Sequence, residues 1–472
     1  MVGLQTPLAD MLRAAQGGAR LHMPGHKGCF APGMAQACGA ALPLGWDMTE
    51  LPRTDDLFAP ERGIAQAEAL AAQAAGAAHT LLLSAGATPG ILAMVLACVP
   101  PGGTLIVGRN CHHSVLSACV WGDIRPVFVW PRALAGTAAV LAADVLAAME
   151  AHPEAAAVLL TRPDYMGVCT DVTPVAQAAR ARGMRVLVDE AHGAHFSWPV
   201  PGQPIGAGAC GADAWVQSAH KTLPALTGAA WLHLAQTLDA PRVRRTLRMV
   251  HTASPSFLTL ASLDGARAWM DAHGADALRA LHARVRRFWA ALAGTGYRDA
   301  HLPLADVPGL ACDPARVVAD TAAHGYTGHE AAAHLAARGI DVEMADARCV
   351  VLLPGLCPPA EGEEDALGMA ARALCALPRR AARAHPGAGL PEVPPACVYP
   401  VRAAALGEQT WVPLAQAGGR VAAVSAGLYP PGIPWVVPGE RIAPQTARAL
   451  GEAAAMGAQC FGVERDGLFC AP

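Results

Sequence analysis

Two stretches decide the fold: Val186-Leu-Val-Asp189-Glu-Ala-His192-Gly-Ala-His195 and, further along, Trp215-Val-Gln-Ser218-Ala-His220-Lys221-Thr-Leu-Pro224. The first is an apolar run that reads as a buried strand and delivers Asp189 at its carboxyl end. A carboxylate in that position is costly unless a cation meets it. The second is again a short apolar strand, followed by Ser-x-His and a lysine. Ligands of parallel sheets bind at the carboxyl ends of strands, so the two stretches aim an acid and an amine at the same edge.

Working outward, apolar runs at Thr104–Gly108, Arg125–Trp130, Ala155–Thr161, Met184–Asp189 and Ala214–Gln217 read as strands, and Ala229–Leu234 as an antiparallel or edge strand. Between the third and fourth, Asp171 or Thr173 can cap a helix, Pro174 suits its first turn and Gly183 closes it. Strand, capped helix and strand form a βαβ unit, and its repetition predicts an α/β fold with a mainly parallel sheet. After Asp299 the pattern changes: a helix at Gly328–Arg338 and strands near Asp341–Met344 and Cys349–Leu353 predict smaller α+β units. The expected organisation is an N-terminal arm (1–45), a large domain (46–300), a small α+β domain with connector (301–390) and a C-terminal domain (391–472). Within the connector, Pro378–Pro400 is rich in proline and arginine.

Composition narrows the function classes. Of 472 residues 15% are charged and 53% hydrophobic, which describes a compact enzyme, not a disordered chain. A formal charge of −3 gives no electrostatic reason to expect nucleic acid or an anionic membrane as partner. The 14 cysteines are scattered without a Cys-x-x-Cys pair, and Met1–Arg20 lacks the pattern of a secretory signal. Reduced thiols in a cytoplasm, with no metal site, are expected. Between Glu68 and Arg109 no residue is charged, yet Gly86, Pro89, Gly90, Pro100 and Pro101 break the segment into pieces too short to span a bilayer.

Lysine is the informative residue. Of 35 basic side chains only Lys27 and Lys221 are lysine, the rest being arginine. A lysine kept in such a background is a candidate for chemistry that guanidinium cannot do, such as imine formation. Asp189 at one strand end and Lys221 after the next make the two-point grip that pyridoxal 5'-phosphate (PLP) requires: a carboxylate for the protonated pyridine nitrogen, an amine for the aldehyde. Gly86-Ala-Thr88-Pro-Gly90, a turn leading into an apolar helix, can offer N–H groups and a hydroxyl to a phosphate. His112, in Arg109-Asn-Cys-His-His-Ser114, could lie flat on the ring, or serve as a structural hydrogen-bonder.

Together with His22-Met-Pro-Gly-His-Lys-Gly28, Asp47-Met-Thr-Glu-Leu51, Asp55-Asp-Leu57, Ser254-Pro-Ser256, Tyr429-Pro-Pro-Gly-Ile-Pro434 and Pro438-Gly-Glu440, these motifs run in order along nearly the whole chain. In this the chain resembles the Orn/Lys/Arg decarboxylase family in its short Gram-positive form. The resemblance implies the aspartate-aminotransferase-like fold and PLP-dependent decarboxylation of arginine, lysine or ornithine, with a slight preference for arginine, in a homodimer or larger homo-oligomer. It implies that Lys221 carries PLP, Asp189 pairs with its ring nitrogen, and His112 and Ala191 pack on its two faces. Ala87, Thr88 and Ser218 would hold the phosphate, His192 and His220 would line the pocket, and Glu440 would contact the substrate. Lys27 falls in the family's own N-terminal motif.

The chain also departs from the family. Ala85, Ala87 and Pro89 stand where the phosphate turn is usually polar, His113 where lysine is common, and Asp164 where threonine is usual. Gly228 replaces a frequent glutamine, and Val424 a Glu or Asn. Two alternatives stay open: transamination, for which Arg348 and Arg402 are available as carboxylate clamps, and a non-catalytic paralogue.

Overall fold

Seven strands form the central sheet: β1 (His79–Leu83), β2 (Thr104–Gly108), β3 (Arg125–Val129), β4 (Ala157–Thr161), β5 (Arg185–Asp189), β6 (Ala214–Gln217) and β7 (Ala230–Leu234). This computed structural model describes residues 4–16, 20–29, 43–134, 137–359, 362–382, 394–429, 432–456 and 458–472. Part of the expected arm (30–42), part of the connector (383–393) and Pro430-Pro431 of the Tyr429–Pro434 motif lie outside those residues.

The strand order is β1-β7-β6-β5-β4-β2-β3. Pairings from β6 through β3 are parallel, whereas β7 runs antiparallel to both β6 and β1. The sheet is therefore mainly parallel, as expected. Ala230–Leu234 is antiparallel but interior, because β1, a strand not singled out in the sequence, covers its outer side. Strands β2, β6 and β7 are buried at every residue, which follows from helices on both faces.

Helix α1 (Thr88–Cys98) is apolar all round and buried along most of its length. Gly90 lets it lie close on the sheet: a Cβ there would meet Leu83 Cδ1 at 2.8 Å and Val216 Cγ2 at 3.1 Å. Helix α2 (Thr173–Ala181) has neither expected residue at its N-cap: Val172 stands there without a side-chain cap, Asp171 before it accepts the Thr173 N–H at 2.9 Å, and the chain turns after the helix through Gly183 at φ +72°. Among the described residues no helix is long and apolar enough to cross a membrane, and every cysteine is free.

Ser256 caps the 35-residue helix α3 (Phe257–Ala291), accepting the Thr259 N–H. At 1.5 Å per residue α3 is about 52 Å long. Its apolar side shares one core with Trp231 of the large sheet and with Val317, Val350 and Leu374 beyond it. Leu374 lies in the helix Ala366–Cys375, whereas Val317 and Val350 belong to a four-stranded antiparallel sheet, β8 (Arg298–Asp299), β9 (Val317–Asp320), β10 (Met344–Ala345) and β11 (Cys349–Leu352), in the order β8-β9-β11-β10. The helix Gly328–Ala336 beside it opens with a capping box between Thr327 and Glu330. The last unit is two small antiparallel sheets and the helix Pro444–Ala455 around their own core.

One buried ion pair fastens that last unit to the large sheet. Arg109, directly after β2, gives Nη1 and Nη2 to the two oxygens of Glu440 at 2.6 and 2.7 Å and Nε to the Pro434 carbonyl at 2.9 Å. Its guanidinium lies over Phe128 and Trp130, and the Val437 N–H closes on Glu440 from the other side. Removing one partner leaves a buried charge unmet. Glu440→Ala is expected to lower unfolding stability by about 3–5 kcal/mol, read as a fall in denaturation midpoint.

Candidate active site

Strand register builds the site. Asp189 ends β5 opposite Val216 of β6, so the residues after Gln217 emerge beside it, and Ser218 N–H donates to the Ala191 carbonyl at 3.2 Å. Asp189 is buried. One oxygen accepts the Ala191 N–H at 3.1 Å and the other has no hydrogen-bond partner among the described residues. Burial raises its pKa, against the opposing pull of Lys221 and that N–H.

Lys221 sits in the single turn Ala219–Thr222. The turn is tied to the residue just before β7: His220 directs both its backbone N–H and its Nδ1 at the Ala229 carbonyl, at 3.3 and 3.0 Å. Lys221 Nζ lies 3.0 Å from His192 Nε2, not on Asp189. Its pKa is lowered, chiefly by burial, with Asp189 opposing and Arg316 assisting. His192 is buried too, and burial, then Lys221 and Arg316, hold it far below the ordinary imidazole range.

The glycine-rich turn joins the same assembly through backbone. Gly86, at φ +74°, donates its N–H to the Gly228 carbonyl at 2.8 Å, and a Cβ on Gly86 would meet nothing within 4 Å. Ala87 occupies the N-cap of α1 and Thr88 its first position, with no side-chain cap. Pro89 fits the first turn. His112 is pinned by Ser114, whose hydroxyl and N–H lie 2.7 and 3.3 Å from Nδ1, and its ring packs 3.9 Å from that of His113. One side of His112 stays open to solvent, yet desolvation of the rest, aided by His113 and Lys221, holds its pKa down to about 4.

The structure thus gathers Asp189, Ala191, His192, Ser218, His220 and Lys221 at adjoining strand ends, with Ala87 and Thr88 joined through Gly228. His112 is near enough for its charge to act on His192. Glu440 has both its oxygens on Arg109. Arg348 pairs with Asp320 at 2.6 Å, and Arg402 donates to the Trp121 carbonyl.

Three further residues matter that the sequence did not mark. Arg316, just before β9, is buried and places Nη2 3.2 Å from His192 Nδ1. Tyr165 sets its ring edge-on to His192, centroids 5.2 Å apart, and donates its hydroxyl to Glu343 at 2.5 Å. The exposed Glu343 carboxylate acts electrostatically on Lys221. Asp164, the unusual residue before Tyr165, closes the turn that presents it by accepting the Met166 and Val168 N–H groups, both at 2.9 Å.

The chain matches the description "Orn/Lys/Arg decarboxylase, major domain" over residues 6–371 and the C-terminal domain of the same family over 391–461. The chain belongs to the Orn/Lys/Arg decarboxylase family. A family relative, an arginine decarboxylase of Halalkalibacterium halodurans, is 32% identical over 453 residues, covering 93% of this chain and 91% of its own. In fold, the chain superposes on the constitutive lysine decarboxylase of Escherichia coli with a TM-score of 0.81 at 18% identity, over 99% of this chain and 82% of that one. An alanine–glyoxylate aminotransferase from Nostoc matches 66% of this chain and 85% of its own, at 18% identity and a TM-score of 0.50. The family's decarboxylases and the aminotransferases therefore share one fold, and this chain is a decarboxylase-family enzyme built on it.

Gly228 links the glycine-rich turn to the lysine turn. Its φ is +93°, and a Cβ would stand 2.9 Å from the Ser84 carbonyl oxygen. Gly228→Ala is expected to destabilise the chain by about 1–3 kcal/mol and to loosen the turn at Gly86. Thermal melting would show the first effect; faster exchange of the Gly86 amide would show the second.

Proposed function

We propose that the chain removes the α-carboxylate of a basic amino acid with PLP as cofactor, arginine being preferred. The observation that carries this reading is Asp189: a carboxylate only 3% exposed, one oxygen accepting the Ala191 N–H and the other without a protein partner among the described residues, beside a lysine that does not bond to it. Such a group calls for a cation standing between the two. The residues present fit PLP: Asp189 for the ring nitrogen, Lys221 for the aldehyde carbon, Ser218 and the Gly86–Thr88 turn for the phosphate. When bound, PLP supplies an electron sink for the pair left behind when CO2 departs.

This chain's residues do the rest. Asp189 holds a proton on the ring nitrogen. His112 and Ala191 confine the ring from its two sides. Loss of neutral CO2 from a carboxylate consumes one proton per turnover, and Lys221 Nζ and His192 Nε2, 3.0 Å apart, are placed to deliver it. The Glu343 carboxylate, held by Tyr165, faces the cationic end of the substrate. The Arg109–Glu440 pair keeps the C-terminal unit against the strand ends. A homodimer or larger assembly and a cytoplasmic setting complete the proposal.

Full-length chain supplied with PLP is expected to release CO2 from arginine faster than from lysine or ornithine, and Lys221→Ala to release none. Absence of CO2 from all three, or amino transfer to a keto acid in its place, would overturn the reading. Glu343→Gln is expected to raise KM for the basic substrate about tenfold or more, with a smaller change in kcat, measured by steady-state CO2 release.

A further inference from the structure

We propose that Arg316 fixes the tautomer of His192 and thereby holds Lys221 as a free amine before any cofactor arrives. A guanidinium has only donors. With Arg316 Nη2 3.2 Å from His192 Nδ1, that nitrogen must accept and carries no proton. The one ring N–H is then on Nε2, which lies 3.0 Å from Lys221 Nζ. An ammonium has no lone pair to receive it; a primary amine does. Only one assignment satisfies both hydrogen bonds: Arg316 donating to Nδ1, Nε2–H donating to Nζ, and Lys221 as –NH2. A ring protonated on both nitrogens would lose the first bond, and an ammonium at Lys221 the second.

Arg316 is held rigidly enough for this work. Nη1 donates to the Tyr165 carbonyl at 2.7 Å, and its stem lies against Gly167, where a Cβ would come within 3.0 Å of Arg316 Cγ. Among the described residues no carboxylate forms a direct ion pair with Arg316, although Asp164 and Asp313 sense its charge. Its positive charge therefore also bears on Lys221. The groups around the amine divide. Asp189 and Glu343 favour the ammonium, burial and Arg316 favour the amine, and the rings of His112, His192 and His220 complete the surroundings. The electrostatics agree with the direction that the hydrogen-bond logic requires: both Lys221 and His192 are shifted toward their neutral forms.

Arg316 is on this reading a positioning residue, acting through His192. The consequence for the proposed function, on which only this step rests, is that Lys221 meets the cofactor's aldehyde already as a nucleophile. The test needs neither cofactor nor turnover. Since the chain has only two lysines, competitive acetylation of the full-length, cofactor-stripped protein with acetic anhydride across pH titrates each one separately by mass spectrometry. Lys27 serves as the internal reference.

Lys221 is expected to become reactive at lower pH than Lys27. Arg316→Met should move its titration up by about one unit or more, a tenfold loss of free amine at a given lower pH. Arg316→Lys, which keeps a charge and a donor, should restore most of the shift. In histidine-labelled wild-type protein, the 15N resonances absent from His192→Gln should show a bare Nδ1 and a protonated Nε2. A proton on Nδ1, or a Lys221 titration that Arg316→Met leaves unchanged, would overturn the proposal. Should Arg316→Met fail to fold, the wild-type tautomer decides alone. A chain that releases no CO2 can still pass this test, so failure of the lock and failure of the decarboxylase reading are separable.

Discussion

The register between β5 and β6 is the constraint on which everything else depends. Because Asp189 lies opposite Val216, a carboxylate at the end of one strand and a lysine just past the end of the next emerge side by side. A slip of one residue would turn each side chain to the other face of the sheet. Burial enforces the register: β6 has no exposed residue, and its neighbours are apolar on both faces. Asp189 and Glu190 consequently point to different environments. Glu190 faces Gln217, the Ala207 N–H and Arg162, and burial pushes its pKa up to about 7. Asp189 has one oxygen on the Ala191 N–H and the other without a protein partner among the described residues.

The departures from the family's usual motifs acquire physical reasons once the turns are seen. The turn at Gly86 is fastened by backbone, through the Gly228 carbonyl, so it does not depend on side-chain hydroxyls to keep its shape. Gly228 then has to be glycine here, since its φ and the Ser84 carbonyl leave no room for a side chain. Asp164 serves as an internal turn cap, its pKa pushed up to about 6 by burial against two N–H bonds and Arg316. Val424 packs against the C-terminal core.

Much of this was legible in sequence. The apolar runs ending at Asp189 and just before Ser218–Lys221 were readable as strands because buried parallel strands announce themselves by composition. The strand at His79–Leu83 was harder to see, lying in an apolar stretch where helix and strand look alike. The Pro438-Gly-Glu440 motif carries no sign of Arg109, which only tertiary structure brings across both Glu440 oxygens. Arg316 gave no signal at all. In a chain where nearly every cation is arginine, one more at the entrance of a strand is invisible, and its meeting with His192, more than a hundred residues earlier, is a product of the fold.

That background of arginine has a chemical logic at the active site. A lysine placed where Arg316 stands would be a second primary amine beside Lys221, able to lose its own proton and to compete for an aldehyde. Guanidinium does neither. It stays a donor at every pH the protein meets, so the histidine between Arg316 and Lys221 has its acceptor side dictated permanently, and the proton it retains points at the Lys221 amine. Asymmetry between two basic residues is thereby converted into a defined protonation state for one of them, by the two hydrogen bonds that meet on His192. The same asymmetry fits a chain in which nearly every basic residue is arginine: Lys221 is the primary amine at this site, and its cationic neighbour Arg316 is of the kind that cannot form an imine in its place.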